Sequence, residues 1–317
     1  MVRLMGLFRG LVVLGWAFVV AGCGPSEGSD ATEESGSNSG GSNTGNREPL
    51  RATQLSAAMA FTCALRVDGE VLCWGSNDRS GQLSPPEGPF EQIAFNGNHG
   101  CALRADGTLA CWGDDNNGRL TPPSELLFSQ ISAGPYHKCG ITREGAVHCW
   151  GARVGDFPEG AGFVEVAAGL SHSCALSAEG VATCWGEDRS SEPLVAPADE
   201  RFTALTAGEY HACGLREDGG ALCWGENHRG QLAVPDVVFT ALAAGEGFTC
   251  GRTTGGTVQC WGERASEADG KQVFVPMESP SGTFVSIAAG AFHACGIRED
   301  ATVECWGDDI YRQSDVP

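Results

Sequence analysis

The sequence predicts an all-β fold of seven small antiparallel sheets, one per repeat of about 38 residues, stacked radially as blades and stapled by one disulfide each. Three observations carry this expectation: a cysteine pair written seven times, a glycine-centred turn inside each pair, and a tryptophan placed opposite small residues.

The pairs set the period. Their first members are Cys63, Cys101, Cys139, Cys174, Cys213, Cys250 and Cys295; their second members are Cys73, Cys111, Cys149, Cys184, Cys223, Cys260 and Cys305. Nine residues separate the members of every pair, and Trp-Gly follows each second cysteine, beginning with Trp74-Gly75. The pairs use 14 of the 15 cysteines, and Cys23 is the remaining one.

The turn follows from "CALRVDGEVLCWG" (63–75) and its copies. Gly69, Gly107, Gly145, Gly180, Gly219 and Gly256 each stand six residues after the first cysteine. A three-residue loop with glycine in third place is a type I turn closed by a bulge, where glycine accepts the left-handed conformation. Unit 7 has Ala301 there, and a left-handed alanine costs on the order of 1 kcal/mol. This register sets Cys63 opposite Cys73, within reach of a disulfide. Zinc binding by the same thiols fits less well, because the spacing matches no finger or ribbon.

The blade reading comes from alternation. The residue after each first cysteine is Ala or Gly, and Leu or Ile follows in six units, with Arg252 the exception. Cysteine and leucine therefore share one face, while Trp74 lies across from Thr62 on a face kept small. Eleven residues before the first cysteine stand Phe90, Phe128, Phe163, Phe202, Phe239 and Phe284, with Ala52 in unit 1. Both faces of each hairpin read as buried, which suits sheets that bury one another in a ring. The strand near 52 to 58 is expected to complete that ring beside the last unit.

Three domains follow. Residues 1–22 form a lipoprotein signal peptide: Arg3 and Arg9, an apolar run, then Val20-Ala21-Gly22 before Cys23. The run is short for a membrane span, and the tetrad resembles the lipobox of bacterial lipoproteins, which implies a lipid on Cys23. Residues 23–50 are a Gly/Ser/Glu-rich tether with too little apolar surface to fold. Residues 51–317 are the seven-repeat domain. The formal net charge is −20; losing residues 1–22 removes two arginines and no acid, leaving −22. Such a balance argues against nucleic-acid binding.

The unit "H-x-C-A-L-x-x-D-G-x-V-x-C-W-G", followed in units 1 and 5 by "SNDRSGQL" and "ENHRGQL", resembles the repeat of the regulator of chromosome condensation. The resemblance implies a seven-bladed β-propeller. The short units and the "GQLAVP" ending of unit 5 are also similar to the secreted bacterial propeller that inhibits β-lactamases, and the paired cysteines depart from both. Guanine-nucleotide exchange, the eukaryotic regulator's role, is not expected of an anchored, acidic, extracytoplasmic chain.

Chemistry has few footholds. His99, His137, His172, His211 and His293 occupy one repeat position, where Phe61 and Phe248 stand in the other units. Interchange with phenylalanine marks a packing site with one hydrogen bond more than a metal ring. The acidic loops at 114 and 186 lack the alternating ligands of a calcium loop. Repeated acids sit in turns, and no titratable residue stands out as a break in the repeat, so no catalytic residue, metal or cofactor is assigned. The segments after Trp-Gly vary, including a 21-residue insertion at 263–283. A constant frame with variable loops displays a binding surface, although drift in unselected loops would look the same. The candidate rim is Arg79, Asp115, Arg189, His228, Arg229, Tyr311 and Arg312, which is poor in aromatics. The expected function is a monomeric, lipid-anchored, non-enzymatic module for a protein ligand in the bacterial envelope. A glycan-active hydrolase and a β-lactamase-type inhibitor are the alternatives.

Overall fold

A computed structural model describes residues 49–75, 78–186, 194–268 and 271–317. Among these residues, seven antiparallel sheets follow one another along the chain, each made of consecutive strands. The inner strands are Ala52–Ala57, Gln92–Asn96, Phe128–Ala133, Phe163–Ala168, Ala204–Ala207, Phe239–Ala244 and Ser286–Ala289. Each is followed by a middle strand starting at the His/Phe position and an outer strand ending at Trp-Gly. Among the described residues, blade 6 alone has a fourth strand: its outer strand runs on as Val258–Ala268 and turns back as Lys271–Pro276. The protein is a seven-bladed β-propeller.

The cysteine register is the one the turns dictate. Cys63 pairs with Cys73 and Thr62 with Trp74 across the middle and outer strands of blade 1, and the six other blades repeat this. Every pair is a disulfide, with Cα atoms 4.0 Å apart. The turn glycines are left-handed, Gly69 at φ 84°, and Ala301 takes the same conformation at φ 67° without glycine's freedom. These turns also link blades. The carbonyl of Gly69 accepts the N–H of Phe90 at 2.8 Å, and Gly107 serves Phe128 likewise. The last turn repeats the bond across the ring, Ala301 O accepting Ala52 N–H at 2.9 Å.

The two hairpin faces have different neighbours. A blade's cysteine and leucine face packs on the tryptophan and phenylalanine face of the next blade. Cys101 and Leu103 meet Phe128, Ile131 and Trp150, and Cys295 and Ile297 close the ring on Ala52, Leu55, Ala64 and Trp74. The small residue after the first cysteine now has its reason. The phenylalanine ring of the same blade lies over it, so a Cβ at Gly140 would stand 2.5 Å from Phe128 Cδ1.

Closure is threefold. Strand 52–57 belongs to blade 1's own sheet and lies beside blade 7, where Arg51 bridges Thr302. The third contact is the C-terminal loop. Trp112 donates its indole N–H to Gln82 O of the loop leaving blade 1 at 3.2 Å, and Trp150 donates to Arg119 O at 3.1 Å. Trp74 finds the equivalent acceptor in Gln313 O at 3.0 Å, which also accepts from the Thr62 hydroxyl.

The central channel tapers, and the side chains measure the taper. Nine residues before the first cysteine, Gln54, Gln92 and Gln130 reach from one inner strand to the next blade. Two residues on, the shorter Ser56, Ser132 and Thr206 span junctions between blades to Phe95, Ala168 and Ala244. Two further on stand glycines in blades 3 to 7, with Ala58 and Asn96 in blades 1 and 2: a Cβ at Gly245 would lie 2.6 Å from Gly290 O. Outer strands run parallel to inner ones, so the variable loops leave from this glycine end. The hairpin turns ring the wide end.

Candidate functional site

The histidine row is packing. His99, His137, His172, His211 and His293 are all buried. His137 hydrogen-bonds the Ser173 hydroxyl at 2.7 Å, His211 bonds Thr249 at 2.8 Å, and His293 bonds Thr62 at 2.7 Å, each reaching the next blade. Burial drives the pKa of His99, His137, His211 and His293 down to about 3, so they stay neutral. The His293 ring, which closes the row between blades 7 and 1, owes its shift to burial alone.

Two titratable residues do break the repeat, contrary to the expectation from sequence. Lys138 stands opposite Trp150, where other units carry Thr, Ser, Ala or Gly. It is 1 % exposed, and its ammonium contacts His99 Nδ1 at 2.6 Å and donates to Arg119 O at 2.9 Å. Burial, then the Arg119 charge, lowers its pKa to about 7. Glu165 stands on the inner strand of blade 4, at the position of Gln54, Gln92 and Gln130, and faces the channel. Burial raises its pKa to about 7, against the pull of the Leu205 N–H. The seven units aligned on their first cysteines expose Lys138 as the one large side chain in a column of small ones, whereas the Glu165 column holds Gln, Ala and Ser in the other units and marks it less sharply.

The rim residues divide. Arg79, Asp115, His228, Tyr311 and Arg312 are exposed, whereas Arg189 and Cys23 lie outside the described residues. Several loops share one construction. Asp78, Asp115, Asn227 and Asp309 each accept the N–H five residues on, at 2.8 to 3.0 Å. Asp115 is therefore occupied in shaping its own loop. Arg229 pairs with Glu246 at 2.9 Å and lies over the Phe274 ring at 4.3 Å.

Arg229 and Tyr311 meet the same feature, the hairpin 258–276 of blade 6. Between this hairpin and the C-terminal loop lies a cavity of about 300 Å³, lined by Ala265, Ser266, Gln272, Phe292, Asp308, Ile310 and Tyr311. Arg79, Asp115 and His228 are not among its lining residues. Two of its lining side chains are exposed and apolar, Ile310 at 60 % and Tyr311 at 41 %; Phe274, exposed at 47 %, stands on the same hairpin outside the lining. The insertion adds one aromatic to this region, Phe274, and sets its ring near Arg229. The channel is a separate concavity of about 280 Å³, and Glu165 is the single acid among its lining residues.

The ectodomain of the Physcomitrella patens receptor kinase CR4 is similar at 27% identity and a TM-score of 0.67, covering 80% of this chain and 72% of that one. The ectodomain of the Arabidopsis thaliana receptor kinase ACR4 is similar at 25% identity and a TM-score of 0.68, covering 85% and 100%. Yeast RCC1 (Prp20), crystallised with Kap60, shares the fold at 18% identity and a TM-score of 0.63, covering 83% and 81%. No curated protein matches the sequence. The model of the regulator of chromosome condensation (RCC1) repeat matches residues 60–82, 90–119, 128–152, 163–191, 202–231, 239–263 and 284–313, one stretch per blade. With more than half its length so matched, the chain belongs to the RCC1 repeat family.

Proposed function

We propose that the chain is a lipid-anchored, extracytoplasmic scaffold that binds a protein ligand through the blade 6 hairpin and the C-terminal loop of blade 7, without enzymatic chemistry of its own. One observation carries the binding reading. In a frame repeated seven times, the blade with a fourth strand among the described residues borders an exposed cavity with Ile310 and Tyr311 of the C-terminal loop, and its added strand carries the exposed Phe274 beside Arg229. Aromatic side chains and arginine are the usual anchors of protein interfaces. The likeness to two receptor ectodomains and seven disulfides support a compartment outside the cytosol. The tetrad from Val20 to Cys23 supports the lipid and a bacterial envelope.

Hydrolysis of glycans by paired carboxylates is less well supported, because that chemistry needs two acids flanking one bond and the channel lining offers Glu165 alone. Inhibition of a β-lactamase is one form the protein-binding reading could take, and an inhibition assay separates it. The test is capture from the native envelope with three oxidised baits. The unaltered bait is expected to retain a partner that a Phe274→Ala, Ile310→Ala, Tyr311→Ala bait loses and an Arg79→Ala bait keeps. A partner held equally by all three would place the interface elsewhere and refute the hairpin reading. Incorporation of labelled palmitate, lost in Cys23→Ala, tests the anchor separately.

A further inference from the structure

The inner strand of each blade leaves one edge free toward the preceding blade, and such an edge needs partners for its N–H and C=O groups. Side-chain amides supply them at three junctions. Gln54 accepts Ile93 N–H at 2.8 Å and donates to Ile93 O at 3.1 Å. Gln92 does the same for Ile131 at 2.9 and 3.2 Å, and Gln130 for Val166 at 3.0 and 3.1 Å. An amide suits the task because it offers one acceptor and one donor side by side.

At the fourth junction the residue is Glu165. One carboxylate oxygen accepts Leu205 N–H at 3.2 Å. The other replaces the amide nitrogen, so an acceptor stands where Leu205 O needs a donor. Beyond it the run of long polar side chains ends: Ala204, Ala241 and Ser286 hold the same position in blades 5 to 7 and are shorter than an amide or carboxylate side chain. The channel is therefore open beside the carboxylate, at its wide end, four residues along the strand from the glycine pinch at Gly169.

We propose that Glu165 and the carbonyl of Leu205 form a binding site for a primary ammonium group. An ammonium carries three N–H donors and no acceptor. It would give one hydrogen bond to the second carboxylate oxygen and one to Leu205 O, completing the junction as an amide does elsewhere and neutralising a half-buried charge. The groove accepts an unbranched chain behind the nitrogen, whether of a free alkylamine or of a lysine side chain presented by a peptide. Charges nearby do not compete. Of the strands packed against this one, those at 128–133 and 204–207 carry none. His137, Lys138 and His172, on the middle strands of blades 3 and 4, lie near the glycine end, and His137 and Lys138 are engaged with Ser173 and His99.

This site is independent of the hairpin interface, which lies on the glycine-end face. The test is calorimetric titration of the oxidised full chain at pH 8 with n-butylammonium, with N-acetyl-Gly-Lys-Gly amide, whose only ammonium is the lysine side chain, and with butyltrimethylammonium, which has the charge but no N–H. Binding by n-butylammonium is expected, at least tenfold tighter than the quaternary ion and with the Leu205 amide resonance shifting. Binding by the peptide as well assigns the site to a lysine side chain; binding by n-butylammonium alone assigns it to free amines. At pH 5.5 a carboxyl with a pKa of about 7 is almost wholly protonated, so affinity is expected to fall about thirtyfold. Glu165→Gln, which restores the amide ladder and is expected to fold, binds at least tenfold more weakly. Absence of binding at pH 8, equal binding of the quaternary ion, or full binding by Glu165→Gln would overturn the proposal.

Discussion

Ala301→Gly is expected to stabilise the protein, although it deletes a methyl group and adds chain entropy to the unfolded state. Ala301 sits at φ 67° in the turn where blades 1 to 6 use glycine. A left-handed residue with a Cβ costs about 1–2 kcal/mol. Glycine's greater loss of freedom on folding returns about 0.5–1 kcal/mol of that. The net gain is about 0.5–1 kcal/mol, and it falls at the closure, since Ala301 O holds Ala52 N–H. For a domain of this size that is a rise of about 1–4 °C in Tm. The reciprocal change, Gly69→Ala, meets the same conformational cost and a collision, with a Cβ 2.8 Å from Pro89 Cβ and 3.3 Å from Pro89 Cα. A loss of about 2 kcal/mol or more is expected. The assay is thermal unfolding of oxidised protein followed by near-ultraviolet dichroism of the tryptophans. A lower Tm for Ala301→Gly, or an unchanged Tm for Gly69→Ala, would refute the claim that one turn geometry governs all seven blades.

Three further outcomes are expected. Replacing Cys139 and Cys149 together by serine frees a short loop and should cost about 3 kcal/mol on chain entropy, read as a lower denaturant midpoint; an unchanged midpoint would mean that the bridge constrains nothing. Glu165→Gln should stabilise the protein at pH 8 and do little at pH 4. The folded-state pKa is raised to about 7, so the wild-type penalty is absent below the unfolded value, grows as pH climbs to about 7, and is full above it, on the order of 3 kcal/mol as an upper bound; parallel pH–stability curves for the two proteins would refute this. Lys138 acts with the opposite charge: its folded pKa is lowered to about 7, the unfolded chain binds more protons from there up to the ordinary lysine range, and stability should rise across roughly pH 7 to 10. Lys138→Thr should lose that slope, and a retained slope would place its source elsewhere.

The blades are legible in the sequence because their determinants are local. Cysteine spacing, the turn glycine and the alternation around Trp74 all lie within one hairpin, and hairpin register follows from turn length. The radial stacking is legible for a related reason, since a hairpin buried on both faces must find partners on both. What the sequence does not reveal is carried between units. The bond from Gly69 O to Phe90 N–H joins residues 21 positions apart, and the capture of Trp74 by Gln313 joins opposite ends of the domain. The glycine and phenylalanine columns are visible in the sequence, but nothing in them says that they are joined across blades. The strand at 52–57 reads as a closing element because it fills a register position before the first cysteine, but the last loop's role as a clasp has no local signal.

The site residues follow the same division. Arg79 and Asp115 stand out in the sequence because their loops vary, yet Asp115 is spent on its own turn. Glu165 does not stand out, because a single glutamate in an apolar stretch says little by itself. Its meaning comes from Gln54, Gln92 and Gln130, whose amides satisfy free strand edges on the neighbouring blades. Replacing an amide by a carboxylate conserves shape and removes a donor, so the change disturbs packing least where it alters hydrogen bonding most. In a repeat protein the frame defines what each position must do, and a departure is informative in proportion to how fully the other units meet that demand. On that measure the insertion at 263–283 and the Glu165 position outrank every variable loop, since the first adds a strand that no other described blade has and the second withdraws a donor that its equivalents in the three preceding blades provide.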